Sequence, residues 1–407
     1  MNQRTPKSLR LHIGIFGRRN VGKSSLLNAL LRQSVSIVSA TPGTTTDPVE
    51  KPMEFLPLGP VQFIDTAGID DQGALGQLRV DKTRQVFDRT DLAILVTDSD
   101  ELGEYEHLLL NELKSRNTPI VVVRNKIDQR GTQQASDHGF ESQGVSVTVA
   151  VSATTNQGLP ELREALLKAA PPDFLDHAAL VSDLVPPGEL AILVVPIDKE
   201  APKGRLIMPQ VQAIRDLLDG DSMCMVVKER ELKSALDRLC TPPRLVVTDS
   251  QAFLKVAADV PDSVPMTSFS ILMSRFKGDL SEQVRGALTI DRLKAGDRIL
   301  VAEGCSHHPI GEDIGRVKIP RWLTQYVGAK LEFTHVQGHD FPPDLAAYQL
   351  VIHCGACMFN RREMLSRIMK CRETGVPVTN YGLTIAYSLG IFKRALGPFP
   401  GALELLG

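Results

Sequence analysis

No run of apolar residues in this chain approaches the ~18–20 that a membrane-spanning helix needs, so no membrane partner is expected. The opening residues, Met-Asn-Gln-Arg-Thr-Pro-Lys, lack the apolar core of a secretory signal, and a cytoplasmic location is expected by default. There is no excess of charge of one sign. Lys and Arg number 46 against 48 Asp and Glu, a formal net charge of −2, which gives no reason to expect nonspecific nucleic-acid binding. Low-complexity tracts and short-period repeats are also missing. Cysteine is sparse, with six residues, and in a reducing compartment these are expected as thiols, metal ligands or redox groups rather than disulfides.

What is present has the balance of a globular protein: 43% hydrophobic and 23% charged residues over 407 positions, long enough for two or three domains. From Leu11 to about Ala170, short apolar runs alternate with amphipathic stretches, the rhythm of a parallel sheet with crossover helices on both faces. Strands are predicted at Leu11–Phe16, Val61–Asp65, Leu92–Thr97, Ile120–Arg124 and Val145–Val151, and a helix at Leu159–Ala169. Pro171-Pro172 ends that helix. The rhythm restarts on a smaller scale, with strands at Leu190–Pro196, Ser222–Val227 and Arg244–Val247 and helices near Pro209–Leu218 and Glu231–Leu239. No catalytic constellation is visible there, and a small sheet with an edge strand suits a structural or dimerising module. A third region carries strands at Arg298–Ala302, Leu331–His335, Tyr348–Ile352 and Val376–Thr379. The expected fold is α/β throughout, in three domains at 1–172, 173–270 and 271–407.

Gly17-Arg18-Arg19-Asn20-Val21-Gly22-Lys23-Ser24 fits G-x-x-x-x-G-K-S and lies between a predicted strand and a predicted helix. Its glycines let backbone N–H groups close on phosphate oxygens. Lys23 offers a point charge to the β- and γ-phosphates and Ser24 a hydroxyl to Mg²⁺; Val21 and Ser25 complete the nucleotide-binding stretch. Asp65-Thr66-Ala67-Gly68 ends another strand, as expected for an Asp that meets Mg²⁺ through water and a Gly that senses the γ-phosphate. Asn125-Lys126-Ile127-Asp128 follows a third. The Asp128 carboxylate can accept two hydrogen bonds from guanine, whereas adenine would leave it unpaired at a cost of ~1–3 kcal/mol, so GTP is selected over ATP. Ser152-Ala153-Thr154 matches the loop that supports the base, and Thr44-Thr45-Thr46-Asp47 supplies hydroxyls, Thr45 among them, for a switch loop closing over Mg²⁺.

Residues 11–170 therefore resemble a translation-factor-related small GTPase of the Era/MnmE type, the group with G-x-x-N-x-G-K-S and G-T-T-x-D. Ile69 stands where Ras-like enzymes carry a water-orienting glutamine. The resemblance implies that Asn20 helps hold K⁺ against the phosphates, in part replacing an arginine finger, and that hydrolysis is slow without a stimulus.

A second chemistry lies near the far end. Glu303-Gly304-Cys305-Ser306-His307-His308 and His353-Cys354-Gly355-Ala356-Cys357 each directly follow a predicted strand. Ligands in open parallel sheets gather outside the carboxyl ends of strands, so both groups point to one place although nearly fifty residues separate them. Three thiolates with His307 or His353 suit tetrahedral zinc. Three thiolates with a labile fourth position suit a 4Fe–4S cluster. A C-x-x-C pair after a strand also suits dithiol redox chemistry, and small buried cysteines are the plain structural reading. Cys224, Cys240 and Cys371 are expected to be inert. His308, His335 and His339 have no partner fixed by the sequence, and Glu312 and Asp313 are expected as solvated loop acids within reach of the site.

The order of a G domain, then C-x-H, a gap of some forty-odd residues and H-C-x-x-C, resembles the FeFe-hydrogenase maturation GTPases, HydF, over essentially the whole chain. Asp313-Ile314-Gly315-Arg316-Val317-Lys318-Ile319-Pro320-Arg321-Trp322 adds to the resemblance. It implies a 4Fe–4S cluster on Cys305, Cys354 and Cys357, with His307 and His353 as exchangeable or second-sphere ligands. It also implies a homodimer made by the middle domain. The role would be that of a scaffold and carrier that receives a di-iron precursor with two radical-SAM maturases and delivers it to apo-hydrogenase. Readings from other classes are a zinc-containing GTPase of RNA or ribosome assembly and a GTP-controlled thiol redox switch on Cys354 and Cys357.

Overall fold

The structure is a computed structural model. It describes residues 6–32, 48–56, 58–66, 84–99, 101–129, 145, 147–172, 179–197, 206–304 and 313–407. These fall in two compact units, Met1–His177 and Ala178–Gly407. Among the described residues no helix is long and apolar enough to cross a membrane.

The first unit is built on one sheet: β1 (Leu11–Phe16), β2 (Val49–Phe55), β3 (Gly59–Asp65), β4 (Leu92–Thr97), β5 (Ile120–Arg124) and β6 (Val147–Ala150), in the order β2-β3-β1-β4-β5-β6. Every pairing is parallel except β2 on β3. All residues of β1, β4 and β5 are buried, as strands covered on both faces must be. The two-residue period deals their side chains to opposite cores. Ile13, Ile15, Leu92, Ile94, Val121 and Val123 meet the helices Lys23–Arg32 and Leu159–Ala169. Phe16, Ala93, Leu95 and Val122 meet the helix Glu104–Ser115 through Leu109, Leu110 and Leu113. Strand β2 was not predicted, because Pro52 in its middle argues against a paired strand. It lies on the sheet edge, where a missing N–H costs nothing.

The second unit holds two parallel sheets. One has β7 (Leu190–Val194), β8 (Met223–Val227), β9 (Leu245–Thr248) and β10 (Met266–Ser268), in the order β10-β9-β7-β8. The other has β11 (Arg298–Glu303), β12 (Glu332–Gln337), β13 (Leu350–His353) and β14 (Val378–Asn380), in the order β12-β11-β13-β14. A single apolar core takes Ile192 and Val246 from the first sheet and Val301 and Ile352 from the second, with helices Phe269–Lys277 and Tyr381–Ser388 between them. On its other face the second sheet packs Leu300 and Val351 against Met364, Ile368 and Cys371 of the helix Arg361–Glu373. Strand β8 is an edge strand, with Met223 and Val226 exposed. Strands β11 and β13 are neighbours in the register Ala302↔His353, so their carboxyl ends finish side by side.

Candidate functional site

In the first unit the turn after β1 is shaped by residues that tolerate positive φ: Gly17 at 143°, Asn20 at 64° and Gly22 at 94°. Gly22 is also required by space, since a Cβ there would sit 2.2 Å from Asn125 Nδ2. Lys23 is buried and its Nζ donates to the carbonyls of Gly17 (2.8 Å) and Arg18 (2.7 Å), drawing the loop around itself. Arg18 in turn donates to the fully buried carboxylate of Glu106 at 2.6 Å. Asn20, Ser24 and Ser25 are exposed at the loop.

Ser24 Oγ donates to Asp65 Oδ2 at 2.6 Å, while Asp65 Oδ1 is buried with no hydrogen-bond partner. Burial raises the pKa of Asp65, an effect opposed by the Ser24 hydrogen bond and Lys23. A hydroxyl and an unsatisfied carboxylate oxygen beside a lysine are the donor set a magnesium–phosphate group needs. Asn125 links the nucleotide loops. Its Nδ2 donates to Val21 O at 2.9 Å, and its Oδ1 accepts from Ala153 N at 3.1 Å. Lys126, at φ 64°, donates to Asp98 at 3.0 Å. Asp128 is exposed at its loop, and Ser152 is buried with its Oγ accepting from Thr155 N at 3.1 Å. Thr45 and Gly68 lie outside the described residues.

In the second unit Cys354 begins the turn after β13. Its N–H donates to Ala302 O of β11 at 2.9 Å, and its half-buried sulfur accepts from Gly304 N at 3.0 Å and from Ala356 N at 3.4 Å. Ala356 holds φ at 52°, a left-handed conformation that turns the chain between the two cysteines. Cys357 is also half-buried, and neither cysteine is disulfide-bonded. Burial pushes the Cys357 thiol up, opposed by the Lys277 ammonium. Among the described residues no three His, Cys, Asp or Glu side chains gather as a metal group. Cys305 and His307 lie outside the described residues, as do His308 and Glu312. The chain reaches Cys305 from Gly304, whose N–H is the one bonded to the Cys354 sulfur.

His353 is fully buried and both ring nitrogens are committed. Arg367 can only donate, so Nε2 accepts from Arg367 Nη1 at 3.0 Å and Nδ1–H donates to Cys354 O at 3.0 Å. Burial, then the Arg367 charge, pushes its pKa down to about 3. Of the two roles expected for His353, direct coordination through Nε2 would break the Arg367 bond, whereas holding the Cys354 peptide from the second sphere keeps both bonds. His335 bonds Gly315 O at 3.0 Å, and His339 bonds Glu363 at 2.8 Å. Asp313, expected to be solvated, is buried and caps the following helical turn by accepting from Arg316 N at 2.7 Å. Cys371 is buried in the core and pushed up to about 12 by burial; Cys224 is half-buried and Cys240 exposed.

Three buried side chains at this site had no role assigned from the sequence. Glu303 is buried and accepts from Tyr381 Oη (3.1 Å) and Gln337 Nε2 (3.0 Å). Arg367 and Lys277 are buried cations against the turn. Arg367 and Lys277 carry no local pattern because each joins the site from another element. Glu303, although next to the first cysteine segment, finds its partners on β12 and the helix Tyr381–Ser388.

Comparison with known proteins places these features. Residues 12–126 match the family model described as 50S ribosome-binding GTPase. Residues 180–278 match the hydrogen maturase F dimerization domain, and residues 281–398 match the hydrogen maturase F tetramerization domain. The last two together take in more than half of the chain. The chain belongs to the hydrogen maturase F family. The family resemblance expected from the cysteine spacing is thus found, and so is the expected α/β fold with an N-terminal P-loop GTPase domain.

Among curated proteins, the tRNA modification GTPase MnmE of Heliobacterium modesticaldum is 40% identical over 154 residues, covering 37% of this chain and 32% of that protein. GTPase Der of Rhizobium etli is 34% identical over 188 residues, covering 44% and 38%. The chain thus spans about a third of the length of these relatives. Among solved structures, the G domain of the T. maritima FeoB iron transporter is 25% identical, covers 39% of this chain and 98% of that one, and has a TM-score of 0.31.

Proposed function

We propose that this hydrogen maturase F family member binds and hydrolyses GTP and carries a 4Fe–4S cluster on Cys305, Cys354 and Cys357. Its role is then a scaffold that receives the di-iron precursor of the FeFe-hydrogenase active site and delivers it to the apo-enzyme. The observation that carries the cluster reading is the side-by-side ending of β11 and β13, with Gly304 N–H on the Cys354 sulfur. N–H groups aimed at a sulfur stabilise thiolate charge, which fits a thiolate-bound metal. When bound, the cluster supplies a one-electron couple and an iron with one position left to exchange. The protein's own contribution is to orient the two cysteines through Ala356 and His353 and to bury the turn. His353 acts here by holding the Cys354 peptide, and His307 is the side chain left to approach the exchangeable position.

In the G domain, Lys23 and the loop N–H groups bind the phosphates, Ser24 and Thr45 hold Mg²⁺, and Asp65 meets it through water. Gly68 reports the γ-phosphate, Asn20 holds K⁺, and Asn125, Lys126, Asp128, Ser152 and Ala153 hold guanine. Hydrolysis is slow and K⁺-stimulated, and GTP regulates partner exchange rather than driving bond formation. The three domains 1–172, 173–270 and 271–407 divide these tasks, with the middle one making a homodimer. The partners are apo-hydrogenase and two radical-SAM maturases, in the cytoplasm. Activation of apo-hydrogenase by the loaded protein tests the role. Wild type is expected to activate, Cys357→Ser to fail, and Asp128→Asn to activate at a clearly reduced rate; full activation by Asp128→Asn would remove GTP from the account.

A further inference from the structure

Lys277 ends the helix Phe269–Lys277 and is 1% exposed. A lysine at a helix end usually runs its stem along the surface and keeps its ammonium in water. Here the ammonium turns inward and donates to three main-chain carbonyls of one turn: Ala356 at 3.1 Å, Cys357 at 3.2 Å and Phe359 at 2.6 Å. That turn carries both cysteines of the C-x-x-C pair, and it includes the left-handed Ala356 whose N–H faces the Cys354 sulfur. Among the described residues no carboxylate lies within ion-pair distance of Lys277. Three carbonyls satisfy its N–H groups but do not neutralise its charge, and a buried ion without a counter-charge is costly. The groups able to supply negative charge nearby are the sulfurs of Cys354 and Cys357, which are also what opposes the downward push of burial on this ammonium, to about 8.

We infer that Lys277 is a positioning residue of the cysteine site: it clamps the 356–359 turn and sets a fixed positive charge against the anionic, thiolate-held metal centre. This rests on the iron–sulfur reading above. A fixed cation beside the site favours the state that has gained an electron from an external donor, and it also favours retention of the thiolate-bound centre.

The test uses full-length wild type, Lys277→Arg, Lys277→Gln and Lys277→Met, each reconstituted anaerobically with iron and sulfide. Folding is followed by circular dichroism and thermal melting, the midpoint potential by EPR-monitored titration, and cluster loss by the rate of iron transfer to a chelator. The neutral variants are expected to fold, to titrate at more negative potential and to lose iron roughly ten- to a hundredfold faster, with Arg restoring most of both properties. Neutral variants that match wild type in potential and iron retention overturn the inference, as does an Arg variant that shifts as far as they do. Neutral variants that cannot fold assign Lys277 to the architecture of the turn alone, and also overturn it. A wild type that takes up no cluster overturns the iron–sulfur reading itself, before any variant is compared.

Discussion

The main-chain N–H of Gly304 donates to the sulfur of Cys354 at 3.0 Å. Residue 304 directly precedes Cys305, so two cysteine-bearing segments fifty positions apart are joined by a bond to sulfur. Parallel pairing of β11 with β13 makes this possible, because it brings the carboxyl ends of both strands to one edge of the sheet.

Cysteine substitutions should separate by location. Cys354→Ser and Cys357→Ser, on a half-buried turn, are expected to abolish iron binding while leaving the melting temperature nearly unchanged. Cys371→Ser places a hydroxyl in a closed apolar core, so it should cost about 1–3 kcal/mol of stability and leave iron content intact. Iron analysis and thermal melting on the same preparations check both halves. Loss of iron in Cys371→Ser would contradict the assignment.

Asn125→Ala removes the bond to Val21 O and the bond from Ala153 N, uncoupling the phosphate loop from the base loop. Two buried hydrogen bonds at about 1 kcal/mol each imply a fall in GTP affinity of roughly ten- to a hundredfold. Fluorescent-nucleotide titration measures it. An unchanged affinity would mean the two loops are held by other contacts.

Gly315→Ala probes the crowded wall behind Glu303. A Cβ at Gly315 would stand 2.1 Å from Tyr381 Oη and 2.6 Å from Glu303 Oε1. The Tyr381–Glu303 hydrogen bond must then open inside a buried pocket, for a loss of about 1–3 kcal/mol. Phenylalanine at 381 removes the clashing oxygen, so the double variant is expected to recover part of that loss in denaturant titrations.

Acid should weaken the first unit through His12. This side chain is buried, and burial lowers its pKa from 6.5 to about 4. The folded state therefore resists the proton that the unfolded chain accepts. Stability is full above pH 6.5 and falls as the pH drops from 6.5 toward 4, by about 3 kcal/mol in all. Hydrogen exchange of peptides covering β1 (Leu11–Phe16) should accelerate over that window in wild type. In His12→Gln, which does not titrate, the slope should be flatter.

The sequence carries most of the first unit plainly. Strands β1, β4 and β5 lie at their predicted positions, because a strand buried on both faces is a continuous apolar run between turn signals. In the second unit β14 is displaced, predicted at Val376–Thr379 and observed at Val378–Asn380, where Asn380 both ends the strand and caps the helix Tyr381–Ser388. That helix and Phe269–Lys277 were not predicted. Ile271, Leu272 and Met273 are buried in succession, so no helical stripe distinguishes them from a buried strand. The same limit governs the sites. The phosphate and guanine loops are legible because each is a contiguous motif. Lys277 meets Cys357 across eighty positions and Arg367 meets His353 from a separate helix, so only the fold reveals them.

The most direct measurement of the central claim is an anaerobic absorption and EPR spectrum, with metal analysis, of wild type and Cys354→Ser after iron and sulfide reconstitution. The account predicts a broad visible band in wild type that bleaches with dithionite, a reduced-cluster EPR signal, and the loss of both in the variant. A colourless wild type holding stoichiometric zinc would contradict it, leaving the GTP site standing and the maturation role without its cluster.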